Sequence, residues 1–411
     1  MAERYASRYA MQLVSRTTEK PDLATMIYRR TSLASLLLIL TALPSLANAG
    51  WREDLAEYWQ KNMIDAEDGK FDISEYLGSA RGFFPVPIII TEPAVGFGIG
   101  AAVAYFHPPK EIDHDVHPHN GPPSISVVLG AGTENGTRLG GLAHMGVWRD
   151  DHIRYTGAVA AMDINMTFYP DLGLGRPRDG IGFNVEGQML YQEMQFRLGE
   201  SNWWLGGDYL YVDAKNRFDL GGGPIELPGP LSDFTQGALG AYVEFDGRNS
   251  IFTPTQGMLA KVEYRDYSET WGGDFDYEHI LTEIKHFTPF GDYSSLGVRL
   301  EYETVTGDVP FFAYPFVSLR GIPALRYQGE TALTAELEYL WGFTPRWSAA
   351  IFAGAGNTTS IDAFGLTDET VVAGGVGFRY RIARKLGMQV GLDVARGPEE
   401  TAYYLTVGNA W

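Results

Sequence analysis

The sequence predicts a transmembrane antiparallel β-barrel of about sixteen strands. Three observations carry this: a secretory leader, a ladder of period-two segments from residue 83 onward, and a final segment, Tyr403 to Trp411, that ends on an aromatic residue. Only a closed barrel lets strands cross a bilayer with every backbone polar group paired.

The leader comes first in the chain. Arg29 and Arg30 supply its basic region, Leu33 to Leu43 its apolar stretch, and Ala47-Asn48-Ala49 a small-x-small cleavage pattern. Residues 1–49 are therefore expected to be removed, leaving a mature chain from near Gly50. The apolar stretch is too short for a spanning helix. Met26 is the preferred start codon, the alternative being a long basic region.

Residues 50–82 form a short periplasmic segment, helix-like from Trp51 to Asn62. The run Asp65-Ala66-Glu67-Asp68-Gly69-Lys70-Phe71-Asp72 has the look of a calcium loop. It lacks the central glycine and closing glutamate that coordination needs, so it is discounted.

From residue 83 the pattern alternates. The predicted strands are 83–91, 95–106, 124–132, 136–148, 152–169, 180–198, 202–219 and 234–246, then 257–268, 275–288, 293–306, 331–342, 347–357, 370–382, 386–396 and 402–411. Met258, Ala260, Val262 and Tyr264 alternate with Lys261, Glu263 and Arg265. Alternation alone fits a soluble sandwich as well as a barrel. The connections separate the two. Long ones (170–179, 220–233, 269–274, 307–330, 358–369) alternate with tight ones (149–151, 199–201, 289–292, 343–346, 383–385), the asymmetry of an outer-membrane barrel with both termini in the periplasm.

Composition agrees. Hydrophobic residues make up 45% of 411, and 49 glycines and 23 tyrosines suit tight strand packing and aromatic girdles. There is no cysteine, hence no disulfide or thiolate metal site. A net charge of -19 excludes nucleic acid as a partner and reads as solvated loops. No cofactor is expected. The connection 107–123 is long on the tight-turn side and holds His114, His117 and His119. These are weak metal candidates, because five prolines and the lack of fixed ligand spacing favour a solvated loop.

Four stretches resemble the BamA/TamA-like bacterial surface antigen superfamily. The first is a periplasmic turn, Asp246, Arg248 and Asn249 followed by Pro254 and Gly257. The second is Leu319-Arg320-Gly321-Ile322 in the long outer loop. The third is Glu336-Leu337-Glu338-Tyr339 with Phe352-Ala353-Gly354-Ala355-Gly356 on the next strand. The fourth is the closing pair of strands from Gly375 to Trp411, the last residue acting as a C-terminal barrel signal. The resemblance covers most of residues 83–411. It implies an outer loop folded into the lumen, with Arg320 and Gly321 locked against Glu336, Glu338 and Phe352. A desolvated guanidinium needs such carboxylates, and Glu338 is the better motif match.

Two departures stand out. The family often has an aspartate where this chain has Gly354. The family's substrate-handling POTRA domains are also missing, since residues 50–82 are too few to form one. A separate periplasmic partner or the barrel-assembly machinery would then feed the barrel, alongside outer-membrane lipids and lipopolysaccharide.

The resemblance implies a translocation or insertion factor for protein or lipid, with a weak seam between the first and last strands. Pro85 and Pro87 deprive the first strand of amide donors, and Gly408 loosens the last. The alternative is a passive or gated channel. An enzyme is not expected: no histidine sits in a nucleophile motif, and His144 falls on the lumenal parity.

Overall fold

In the computed structural model the described residues are 57–79, 82–107, 124–169, 180–219, 224–225, 232–362, 365–385, 387–409 and 411. The leader, the 50–56 stretch and His114, His117 and His119 lie outside them. Two compact units are present: the first ends at Lys61, its described residues helical, and the second runs from Asn62 to Trp411.

The second unit is an antiparallel barrel. Its strands are β1 (Gly82–Ile90), β2 (Gly98–Phe106), β3 (Ile125–Thr133), β4 (Arg138–Trp148), β5 (Ile153–Phe168) and β6 (Ile181–Arg197). There follow β7 (Trp203–Asp219), the two-residue β8 (Pro224–Ile225), β9 (Asp233–Asp246), β10 (Gly257–Tyr267), β11 (Tyr277–Phe290) and β12 (Ser294–Gly307). The last are β13 (Thr331–Gly342), β14 (Trp347–Asp362), β15 (Gly365–Ala383), β16 (Met388–Arg396) and β17 (Thr401–Val407). Setting β8 aside, each strand pairs with its neighbours in sequence order, from β1–β2 through β7–β9 to β16–β17. No helix is long and apolar enough to cross a membrane among the described residues.

The outer wall is apolar. Ile99, Val128, Leu142, Val159, Val262, Leu300, Leu337, Val376 and Leu392 all project outward and exposed, an apolar surface far too continuous for water and of the kind that meets lipid. Strands β5 to β7 are 16 to 17 residues long, about 55 Å at ~3.4 Å per residue, so they overshoot an apolar band about 25 Å tall. Beyond that band the two faces exchange polarity. Asp163, Glu186, Lys215 and Arg217 share the outward register, while Met162, Val185, Phe183 and Phe218 turn inward.

What they turn toward is the chain from 308 to 330. Phe311 packs edge-on or tilted against Phe183 and Phe218, and Phe312 against Phe234 and Phe275, while Leu325 packs on Phe183 and Phe218. Val317, Leu319, Ile322 and Tyr327 form a further cluster with Val371. The core of this barrel is thus its lumen, filled by its own outer loop.

Three expectations are corrected. The long connection 358–369 is a hairpin: β14 and β15 run on as a ladder to Asp362↔Gly365. Thr358, Thr359 and Ser360 extend β14 with polar residues on both faces, Thr358 buried on the inward one, so no apolar alternation marks them. His144 lies in the register of Ser126, two pairs from Val128↔Leu142, and so on the outward face, where its Nδ1 shares a 2.8 Å hydrogen bond with Ser126. Finally, β17 stops at Val407. Gly408 has φ +84, and Trp411 turns inward to Phe287 (ring centroids 5.7 Å apart) and Gly297 rather than outward to lipid.

Candidate functional site

The lumenal face of β13 and β14 sets the site. Leu333, Leu337, Tyr339 and Trp341 point outward, which turns Glu336 and Glu338 inward, where both are buried. On β14 the inward positions are Phe352, Gly354 and Gly356. A Cβ on Gly354 would overlap Leu319, and one on Gly356 would overlap Val317. The two glycines therefore form a trough into which residues 317–319 descend. A side chain at 354 would crowd Leu319, which fits the absence of an aspartate there.

At the bottom of that descent the chain turns at Gly321 (φ +94), a left-handed conformation that favours glycine. Arg320 is thereby aimed into a nest of acids. Its Nε and Nη2 donate to Glu336 Oε1 at 2.9 and 2.5 Å. Its Nη1 donates to Asp393 Oδ2 at 2.7 Å and makes a 2.7 Å charge contact with Glu338 Oε2. The guanidinium lies over the Phe352 ring, 3.5 Å from its centroid, a cation–π contact in a desolvated setting.

Two further arginines balance the charge. Arg379 pairs with Asp393 through both nitrogens. Arg299 donates to Glu301 at 2.8 Å and to the Ser318 carbonyl at 2.9 Å, and lies 3.7 Å from Glu336. Arg299 belongs to no motif singled out in the sequence, and Arg379 and Asp393 lie within the closing-strand stretch from Gly375 to Trp411 without being singled out in it. The available signal was their inward parity on strands where the opposite face is apolar.

The loop is also tied to the last strand. The Gly321 amide donates to the Tyr404 hydroxyl of β17 at 2.8 Å, and a Cβ on Gly321 would meet the Gly397 nitrogen. Lock and closing strand are thus one mechanical unit. Between them lies a cavity of about 400 Å³ lined by Glu92, Arg299, Arg320, Thr406 and Trp411 among others.

At the opposite end, Asp246 and Arg248 form a bidentate pair (2.8 and 2.9 Å). The Asn249 side-chain Oδ1 accepts from the Thr255 and Gln256 backbone amides. Pro254 is buried, and Gly257 (φ +101) sits where a Cβ would strike Gly247. This turn extends from the β9–β10 junction until Phe252 abuts Gly408 and Ser250 approaches Gly387. It floors the lumen under the last strand.

The ladder has one interruption. No register joins β1 to β17 among the described residues, although β1 is fully paired with β2 and β17 with β16. The two strands lie side by side as a seam.

A crystal structure of BamA from Haemophilus ducreyi lacking POTRA domains 1–3 superposes with a TM-score of 0.53 at 12% identity, over 87% of this chain and 77% of that one. The chain has a BamA-like outer-membrane barrel fold. CdiB from Acinetobacter baumannii (TM-score 0.49, 10% identity) and CdiB from Escherichia coli (0.48, 12%) align over 79% of this chain and 59% and 61% of theirs. No protein-family model and no curated protein sequence matches the chain.

Proposed function

We propose that this BamA-like barrel is an outer-membrane translocation or insertion factor for protein or lipid, acting through the β1–β17 seam rather than through the lumen. The observation that carries the reading is the unpaired seam in an otherwise continuous ladder. Free strand edges present unpaired amides and carbonyls that can template an incoming strand or perturb adjacent lipid. A lumenal route fits less well, since the outer loop fills the barrel from one end and the 247–256 turn crosses beneath it from the other. On this reading the role is non-catalytic.

The test compares outer membranes of cells with and without the chain by quantitative proteomics and lipid analysis. Loss of particular barrels, exported proteins or lipids supports the reading and names the cargo. An unchanged membrane with altered uptake of small solutes overturns it in favour of a channel.

A further inference from the structure

The stretch just before β1 is docked where it bears on the seam. Residues 63–72 form a tight hairpin, closed by the Ile64↔Phe71 bridge and by the Asp72 amide donating to the Met63 carbonyl. Asp72 then caps a six-residue helix, Ser74–Ser79, by accepting from the Ser74 amide at 2.6 Å.

This hairpin and helix sit against two periplasmic turns, 343–346 between β13 and β14 and 384–387 between β15 and β16. Arg346, its side chain 4% exposed, donates to Asp65 and Asp68 (both 2.6 Å) and to Asp72. Arg384 donates from Nε to Asp65 at 2.8 Å, and its backbone amide donates to Asp72 at 2.9 Å. Lys385 pairs with Glu75, and its amide donates to the Ser74 hydroxyl. The Ile73 amide donates to the Ile382 carbonyl at 2.8 Å, and the Tyr380 hydroxyl to the Phe71 carbonyl at 2.5 Å. The three aspartates are those of the discounted calcium-like run; their partners are arginines.

Going round the rim, the order is β15, β16, β17, seam, β1. A segment fixed to the β15–β16 turn and continuous with β1 must pass beneath β17 and bridge the seam. Three peptide steps from Ser79 to Gly82 reach at most about 11 Å, and the helix adds about 8 Å. The start of β1 is thus leashed to the far side of β17.

We propose that residues 62–79 are a clasp across the seam, and that their undocking from Arg346 and Arg384 frees the periplasmic end of β1 to part from β17. Its biological use rests on the seam reading above. Its mechanics do not.

The chain has no cysteine, so cysteine pairs can be introduced singly into the purified full chain in lipid vesicles. One pair, P85C with V407C, reports the periplasmic end of the seam, and another, I89C with Y403C, the outer end. Spin-label distances are read in the otherwise native chain, in Arg346→Ala, and in a variant with about twelve Gly/Ser residues inserted between Ser79 and Gly82.

The inserted linker has a span on the order of 20 Å and leaves the docking contacts alone, so it keeps the test alive if Arg346→Ala fails to fold. Both variants are expected to broaden the Pro85–Val407 distribution on the order of that linker span, and more than the Ile89–Tyr403 one. Unchanged distances in a folded linker variant overturn the clasp. Cargo lost from cells without a change in seam distances, or the reverse, separates failure of the clasp from failure of the translocation reading.

Discussion

At the scale of single residues the lock is a charge balance that no member can leave cheaply. Arg320 is held by Glu336, Glu338 and Asp393 with its side chain only 8% exposed. Removing one partner of a buried pair costs about 3–5 kcal/mol, because the other charges stay desolvated. Arg320→Ala is therefore expected to release the loop and to lower the temperature at which the folded band disappears on a gel. Unchanged heat resistance would falsify the lock. Arg320→Lys should fail nearly as badly, since an ammonium cannot span Glu336 and Asp393 with a planar fork. Gly356→Val tests the trough instead: its side chain would occupy the space of Val317, so loop docking should be lost while Arg320 is intact. Melting unchanged from the parent chain would mean the trough is not tight. The pairing of Arg320 with β13 was legible in the sequence, because inward parity and a motif agreed there. The part played by Asp393 was not: it lies 73 residues from Arg320, and the closing-strand stretch around it singles out no carboxylate.

At the scale of elements, legibility followed the bilayer. Strands were readable wherever one face meets lipid and the other the lumen, as along β10, β12 and β13. Where strands leave the apolar band the signal vanishes, which is why the β14–β15 hairpin looked like a loop. The clasp was hidden for a different reason: an acidic run of this kind reads as a metal loop or a solvated turn until its cations, some 280 residues away, are seen. Those cations set its pH response. Hydrogen bonds from the Glu67 amide and Arg384 hold Asp65 below the usual carboxylate range, and those from Arg346 do so for Asp68. Asp72 is lowered too, its bonds from Ser74, Arg346 and Arg384 outweighing burial, which raises it. Groups with depressed folded-state pKa values stabilise the docked form above the ordinary aspartate value of 3.8 and lose that contribution as pH falls through the depressed values. A spin label at Lys70 should accordingly stay immobile at neutral pH and become mobile only below about pH 4. Mobility that rises between pH 7 and 5 would show that these aspartates do not hold the hairpin.

At the scale of the whole molecule, the outer loop, the last strand and the clasp converge on one place. Arg320 reaches β16 through Asp393, Gly321 reaches β17 through Tyr404, and the hairpin before β1 reaches the β15–β16 turn. Each tie ends on the C-terminal bank of the seam, and none replaces the missing ladder between β1 and β17. A barrel whose stability depended on closure would place hydrogen bonds there. These ties instead hold the C-terminal bank, and the other bank is tied to the loop at its outer end, where the Ala324 amide donates to Glu92 at 3.3 Å. The periplasmic end of β1, with its prolines at 85 and 87, is therefore the part able to move. Sealing the seam should therefore separate fold from function. A disulfide between cysteines at Ile89 and Tyr403 is expected to form in the membrane, to leave the barrel heat-resistant, and to abolish the chain's effect on outer-membrane composition until a reductant restores it. If the sealed, oxidised barrel still supports the same outer-membrane proteome and lipids as the open one, the seam is only a closure left unpaired, and transport must run through the lumen after displacement of the loop.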